Sequence, residues 1–301
     1  MKVSVGIPCY NEEKNIRRVI ESCLCQEGEG VEIGEVIVVA SGCTDRTVDV
    51  VNECISRDNR VKLVVEPERR GKPSAVNIIF KEAKNPIIVM TDGDLRPEKD
   101  AFSKLLPHFE NSKCGIVGGY PLPMNGGKGF WGHTADLMWD MHHLQFSRDA
   151  KSSKLARVTG YLYAIRKGIV DAIPKDAVNE DSYLAWMVKS KGYKVEYEPG
   201  AKVYIKNPDN RKDFISQRRR VAFGHFNKKE YDVATMSLAD NVKIIFSSKY
   251  FWKNPFYSFG AFLLEYYARW LAKKDIKSGK GHTNWKKIDS SKEWGDESGK
   301  K

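Results

Sequence analysis

Pro86-Ile-Ile-Val-Met-Thr-Asp-Gly-Asp-Leu-Arg-Pro97 is the stretch on which the reading of this chain turns. The apolar run from Ile87 to Met90 is too short for a helix and predicts a buried strand, after which Asp92 and Asp94 flank a single glycine. In open α/β sheets ligands collect outside the carboxyl ends of the strands. Two like charges one residue apart in a tight turn repel unless a cation lies between them. A hard divalent ion, Mn2+ or Mg2+, suits that place, because it accepts one or two carboxylates and takes its other ligands from water and phosphate oxygens. The plain alternative is a surface turn, since Asp-Gly is a common turn dipeptide.

Working outward, the preceding residues repeat one pattern. Residues 3–8 alternate as a strand and lead through Cys9-Tyr-Asn-Glu12 into a helix with Ile16, Val19, Ile20 and Cys23 on one face and Asn11 as the expected N-cap. A second strand over residues 36–40 leads through Ser41-Gly-Cys-Thr-Asp45 into a helix carrying Val48, Val51 and Ile55. A third, over residues 61–65, is followed by the basic loop Glu68-Arg-Arg-Gly-Lys-Pro73 and another helix. This is βαβαβαβ, an α/β chain with a mostly parallel, Rossmann-like sheet and helices on both faces. No GxGxxG follows the first strand and no Walker A sequence occurs, which argues against a dehydrogenase or a P-loop enzyme.

The chain has 301 residues, enough for one large domain with an accessory segment. It is 41% hydrophobic and 30% charged, an ordinary globular balance, but its net charge of +11 points to an anionic partner. All six cysteines lie in the first 114 residues without zinc or CxxC spacing, and read as reduced core thiols. With a strand beginning at residue 2 and no room before it for a signal peptide, the expected compartment is the cytoplasm.

Four segments in order carry a family resemblance: Pro8-Cys-Tyr-Asn-Glu12, Val38-Val-Ala-Ser-Gly-Cys-Thr-Asp45, Gly71-Lys-Pro-Ser-Ala-Val-Asn77 and Asp92-Gly-Asp94. Together they resemble the nucleotide-sugar motifs of family 2 glycosyltransferases of the GT-A fold, over about residues 1–226. The resemblance implies that Pro8, Tyr10, Asn11, Glu12, Ser41 and Asp45 hold the nucleoside. It also implies that Lys72 reaches the nucleotide and that Asp92 and Asp94 hold metal and diphosphate. Tyr10 offers a ring for base stacking, worth roughly 1–3 kcal/mol in such systems. Ala40 and Ser41 stand where the family carries two acidic residues, the first of which recognises uracil.

The acceptor half is expected over residues 98–226. Residues 115–123 read as a strand and residues 130–146 as a helix rich in Trp, Met and His, whose adjacent His142 and His143 diverge too far to share a metal. Residues 159–166 alternate as a strand. Glu180-Asp181 opens a helix, where acids ordinarily favour the dipole; the pair resembles the family's ED motif, which implies that Asp181 is the general base of an inverting transfer. Gln217-Arg-Arg-Arg-Val221 resembles the QxxRW motif of the processive cellulose, chitin and hyaluronan synthase-like branch, implying diphosphate or acceptor contacts for Gln217 and Arg220. Valine replaces the tryptophan. Arg218 and Arg219 read equally well as a solvated face, and His225 is a weaker diphosphate or metal candidate.

Residues 227–276 are expected to form an amphipathic aromatic and basic helical extension, and residues 277–301 a disordered tail. The longest uncharged run in the extension is closed by Lys253 and Glu265, too short for the ~20 apolar residues of a spanning helix. Trp, Tyr and Phe interleaved with Lys and Arg over residues 241–272 suit peripheral contact with the cytoplasmic face of a membrane, or packing on the catalytic domain. The expected activity is a metal-dependent transfer from a nucleotide-sugar, UDP-sugar before GDP-sugar, to a glycan or lipid-linked hydroxyl. No nucleic-acid partner is expected. Two alternatives stand beside it. A sugar nucleotidyltransferase would carry a glycine-rich basic loop after the first strand. A degenerate basic binding protein would have no reason to display Asp92, Asp94 and Asp181.

Overall fold

The computed structural model describes residues 1–152, 157–226, 238–279 and residue 290. The expected tail falls almost wholly outside the described residues, as do residues 227–237 of the extension. The first half is the repeat read from the sequence: β1 (Lys2–Cys9), α1 (Ile16–Leu24), β2 (Glu32–Ser41), α2 (Thr47–Arg57), β3 (Val61–Glu66), α3 (Lys72–Glu82) and β4 (Ile87–Thr91). These four strands pair in parallel in the order β3-β2-β1-β4. Both faces are covered, which is why β2 and β4 are apolar almost throughout rather than alternating. Val36, Val38 and Ala40 pack with Ile16, Val19 and Ile20 of α1, while Ile37 and Val39 turn to Ala75, Val76 and Ile79 of α3.

The second half completes an eight-stranded sheet in the order β3-β2-β1-β4-β7-β6-β8-β5. Its elements are β5 (Arg96–Pro97), α4 (Ala101–Leu105) with a 3-10 turn over Leu106–Glu110, β6 (Cys114–Pro123), α5 (Gly129–Lys151), β7 (Leu162–Arg166), α6 (Glu180–Ser190), β8 (Lys194–Ile205) and α7 (Arg211–Phe226). Strand β7 inserts between β4 and β6, antiparallel to both, whereas β6 and β8 run parallel. This insertion brings the loop before β7 beside the turn that ends β4, so residues from both halves meet at one sheet edge.

Three further helices follow: α8 (Leu238–Ser247), α9 (Lys249–Lys253) and α10 (Pro255–Lys277). The inner face of α10 is lined by small buried residues, Ser258, Ala261, Ala268 and Ala272, which let it lie close against α7. Arg218 donates from Nε and Nη2 to Glu265 at 2.6 and 3.1 Å, and Arg219 pairs with the buried Asp275. These two arginines are therefore not a solvated face; the acids they meet come from a helix distant in sequence. His133 of α5 shares a hydrogen bond of 2.9 Å with Ser258. The outer face of α10 carries Phe256, Phe259, Leu263, Tyr266 and Trp270, all exposed, Phe256 to 89%. Among the described residues no helix is long and apolar enough to cross a membrane.

One local expectation is corrected. Helix α1 opens at Asn15, not Asn11. Asn11 instead takes a left-handed backbone (φ 54°), a conformation asparagine tolerates better than most side chains. Its amide pairs with Thr44, accepting from the backbone N–H at 2.8 Å and donating to the hydroxyl at 3.1 Å.

Candidate active site

At the carboxyl end of β4, Lys72 from the first turn of α3 is the hub. Its ammonium lies 2.7 Å from Asp92 Oδ1 and 2.9 Å from Glu180 Oε1, and donates to the Gly160 carbonyl at 3.2 Å. Burial works against the lysine's charge, but Asp92 and Glu180 prevail and hold it well above its ordinary pKa. Asp92 is raised by its own burial against the pull of Lys72. Asp94 is pushed up to about 7, by burial first and by Asp92 second. Burial is thus the main cause, with the neighbouring Asp92 carboxylate adding to it and Lys72 opposing it. Gly93 lets this turn press on β1, where a Cβ would come within 2.8 Å of the Cys9 Cβ.

Asp181 stands next to this cluster but outside the ion pair. Its Oδ2 accepts from the Gly160 N–H at 3.0 Å and its Oδ1 from the Ser182 N–H at 2.7 Å. Gly160 thus touches Lys72 through its carbonyl and Asp181 through its amide. Burial, then Glu180, raises Asp181 to about 6. From α7, Arg220 reaches the same charges: burial lowers it to about 10 against the opposing fields of Tyr161, Glu180 and Asp92. Tyr161, whose pKa burial raises, in turn feels Arg220, Asp92 and Asp94. Gln217 sits one helical turn before Arg220, half-buried, and His225 lies in the last turn of α7.

The nucleoside candidates gather on the adjoining loops. Pro8 is buried within β1 opposite Val39. Tyr10 lies beneath Arg69, whose guanidinium carbon is 3.8 Å from the ring centre. Ser41 Oγ accepts from the Arg70 N–H at 3.3 Å. Asp45 accepts from the Thr47 N–H and hydroxyl through Oδ1 and from the Glu13 N–H through Oδ2, tying the first loop to the second. Glu12 is buried; its Oε2 accepts from Asn15 at 3.1 Å, and its N–H donates to Thr47 Oγ1 at 2.7 Å. The structure therefore draws Lys72, Asp92, Asp94, Asp181 and Arg220 into one cluster. Tyr10, Asn11, Ser41 and Asp45 line two neighbouring loops.

Sequence reading missed Glu180 as a partner of Lys72, the two-sided role of Gly160, and the proximity of Tyr161 and Arg69. The position of Arg69 in the basic loop was the one available signal. His142 and His143 are not a metal pair: His142 packs at a tilt against Phe146, ring centres 3.8 Å apart, with burial taking its pKa down to about 3, and His143 shares a hydrogen bond with the Tyr197 hydroxyl.

An acidic turn at the carboxyl edge of a sheet of this order, faced by a second acidic pair from the next unit, defines a GT-A protein. Solved structures agree on the fold. The mannosyltransferase PcManGT from Pyrobaculum calidifontis, in complex with GDP-Man and Mn2+, superposes with a TM-score of 0.60 at 20% identity, covering 92% of this chain and 74% of that one. S. aureus TarS 1-349 in complex with UDP-GlcNAc gives 0.51 at 14% identity, with 93% of each chain covered. The family profile Glycosyl transferase family 2 matches residues 4–173, and the chain belongs to that family. Among curated relatives, the probable glycosyltransferase YdaM of Bacillus subtilis (strain 168) is 30% identical over 270 residues, 86% of this chain and 63% of that protein. The poly-beta-1,6-N-acetyl-D-glucosamine synthase of Staphylococcus aureus (strain COL) is 26% identical over 230 residues, 72% of this chain and 53% of that one. The chain therefore spans only about half to two thirds of the length of these relatives.

Proposed function

We propose that this protein is a metal-dependent, inverting glycosyltransferase that moves a sugar from a nucleotide-sugar, a UDP-sugar before a GDP-sugar, to a glycan or lipid-linked hydroxyl. Residues 1–226 serve as the catalytic unit, with the donor half over 1–97 and the acceptor half over 98–226. The observation that carries this reading is Gly160, which holds Asp181 through its amide and Lys72 through its carbonyl. A carboxylate held by two backbone N–H groups, with its pKa raised to about 6, thus stands beside the Lys72 ammonium. In the reaction, Asp181 takes the proton of the acceptor hydroxyl as that oxygen bonds to the sugar's C1. The C1–O bond to the diphosphate breaks on the opposite side, and its electron pair leaves with the diphosphate. Lys72 and Arg220 hold the departing oxygens.

The acidic turn fits a divalent cation. Asp92 and Asp94 flank one glycine at the end of β4, so their side chains offer two hard oxygen donors from a single turn. Among the described residues no three His, Cys, Asp or Glu side chains gather as a closed metal cage. Asp92 and Asp94 would hold Mn2+ or Mg2+, ions that accept one or two carboxylates and take their other ligands from phosphate oxygens and water. Bound there, the ion offsets the charge that develops on the leaving group.

The partner for residues 241–272 is an anionic bilayer surface on the cytoplasmic side. Its support is the exposed row of Phe256, Phe259, Leu263, Tyr266 and Trp270 on α10, flanked by Lys249, Lys253, Arg269, Lys273 and Lys274. The test of the catalytic reading is Asp181→Asn. Transfer is expected to be abolished while thermal stabilisation by UDP with Mn2+ stays at the wild-type level; equal loss of both would remove Asp181 from the role of base.

A further inference from the structure

The loop between β3 and α3 is laid directly on the loop that follows β2. Gly42 has a positive φ of 62°, and a Cβ there would come within 2.5 Å of the Arg69 nitrogen and 2.9 Å of its Cα. The Gly42 N–H donates to the Glu66 carbonyl at 2.9 Å, and Ser41 Oγ accepts from the Arg70 N–H. These contacts fix where the Arg69 side chain starts. From there its guanidinium reaches over the face of Tyr10, the ring on which the base is read to stack. Ala40 and Ser41, at the end of β2 beside this ring, provide no carboxylate.

The chemistry of the pocket follows from that geometry. A guanidinium has five N–H donors in a rigid fork and no acceptor. Uracil and guanine present carbonyl oxygens on the edge where cytosine and adenine present amino donors. We propose that Arg69 is the residue that selects the base: as the nucleotide enters, the face of Tyr10 passes to the base and the guanidinium moves to its edge, where it accepts oxo bases and rejects amino bases. The inference rests on the reading that the nucleotide base lies against Tyr10. Arg69 contacts substrate in this role but takes no part in bond making.

The test uses the full chain with Mn2+ and a panel of UDP, GDP, CDP and ADP, measuring affinity by titration and by thermal shift, with unliganded melting as the check on folding. The wild type is expected to bind UDP or GDP more tightly than CDP and ADP. Arg69→Ala should lower that preference by about tenfold, near the lower end of what one specific base contact supplies. Arg69→Lys, which keeps the charge but loses the fork, should not restore it, whereas a charge contact to the diphosphate alone would be restored. An unchanged preference in Arg69→Ala, with binding lost in Tyr10→Ala, overturns the role of Arg69 and leaves the pocket in place. No nucleotide binding by the wild type, or wild-type binding by Tyr10→Ala, removes the pocket itself and the proposal with it.

Discussion

Asp181 must be ionised to accept a proton, and burial together with Glu180 holds it near 6. The expected consequence is a turnover rate that is full above that value and falls as pH drops through about 6, well above the range in which an exposed aspartate titrates. A kcat profile whose acid limb lies instead near 4 would assign the proton transfer elsewhere. The acids of this cluster were legible as motif positions: Asp92, Asp94, Asp181 and Lys72 were each nameable from local sequence. Their partners were not. Glu180 reads locally as a helix-dipole residue, and its contact with Lys72 exists only because β7 and α6 fold back to the end of β4. Arg69 shows the same limit: the basic loop marks it as a candidate, but its place over Tyr10 depends on how two distant loops pack.

At the scale of elements, α7 is engaged on two sides. Arg220 extends toward Tyr161, Glu180 and Asp92, while Arg218 and Arg219 fasten the helix to α10. Glu265 is partly buried, and despite the burial that would raise its pKa, Arg218 and Arg269 hold it down to about 2. Its contribution to stability is therefore present above the ordinary glutamate pKa and is lost as pH falls toward 2. Replacing Glu265 with alanine leaves Arg218 without its carboxylate and is expected to lower unfolding stability by about 2 kcal/mol, somewhat less than a fully buried pair. A chemical denaturation midpoint that does not move in Glu265→Ala would show that the pair adds nothing net. The amphipathic rhythm of α10 was visible in sequence as aromatic residues among lysines. The charge run at Arg218 stayed ambiguous in sequence because a row of arginines looks alike whether it faces water or a distant helix.

For the molecule as a whole, the first four strands were readable because each parallel crossover leaves a local strand-loop-helix signature. The insertion of β7 between β4 and β6 was not, because antiparallel pairing between distant strands has no local marker. The outer face of α10 sets the expected behaviour of the entire chain toward lipid. The protein should sediment with phosphatidylcholine vesicles that contain phosphatidylglycerol and much less with phosphatidylcholine alone. Phe259→Ser with Trp270→Ser should weaken that binding by roughly tenfold or more, because interfacial affinity follows the apolar area inserted. Equal sedimentation of the double variant and the wild type would show that the helix meets something other than lipid.

Lys72 occupies, in the structure, the position beside Asp92 that the proposed cation would have to share. Its ammonium already neutralises Asp92, so a bare cation arriving alone must compete with a fixed positive charge. A nucleoside diphosphate changes the contest by giving the ammonium a new anion and the cation additional oxygens. If both bind as proposed, the two ligands are expected to be thermodynamically coupled, each raising the affinity of the other. On the proposed function, a divalent ion should therefore bind weakly without nucleotide and more tightly once a nucleoside diphosphate is present.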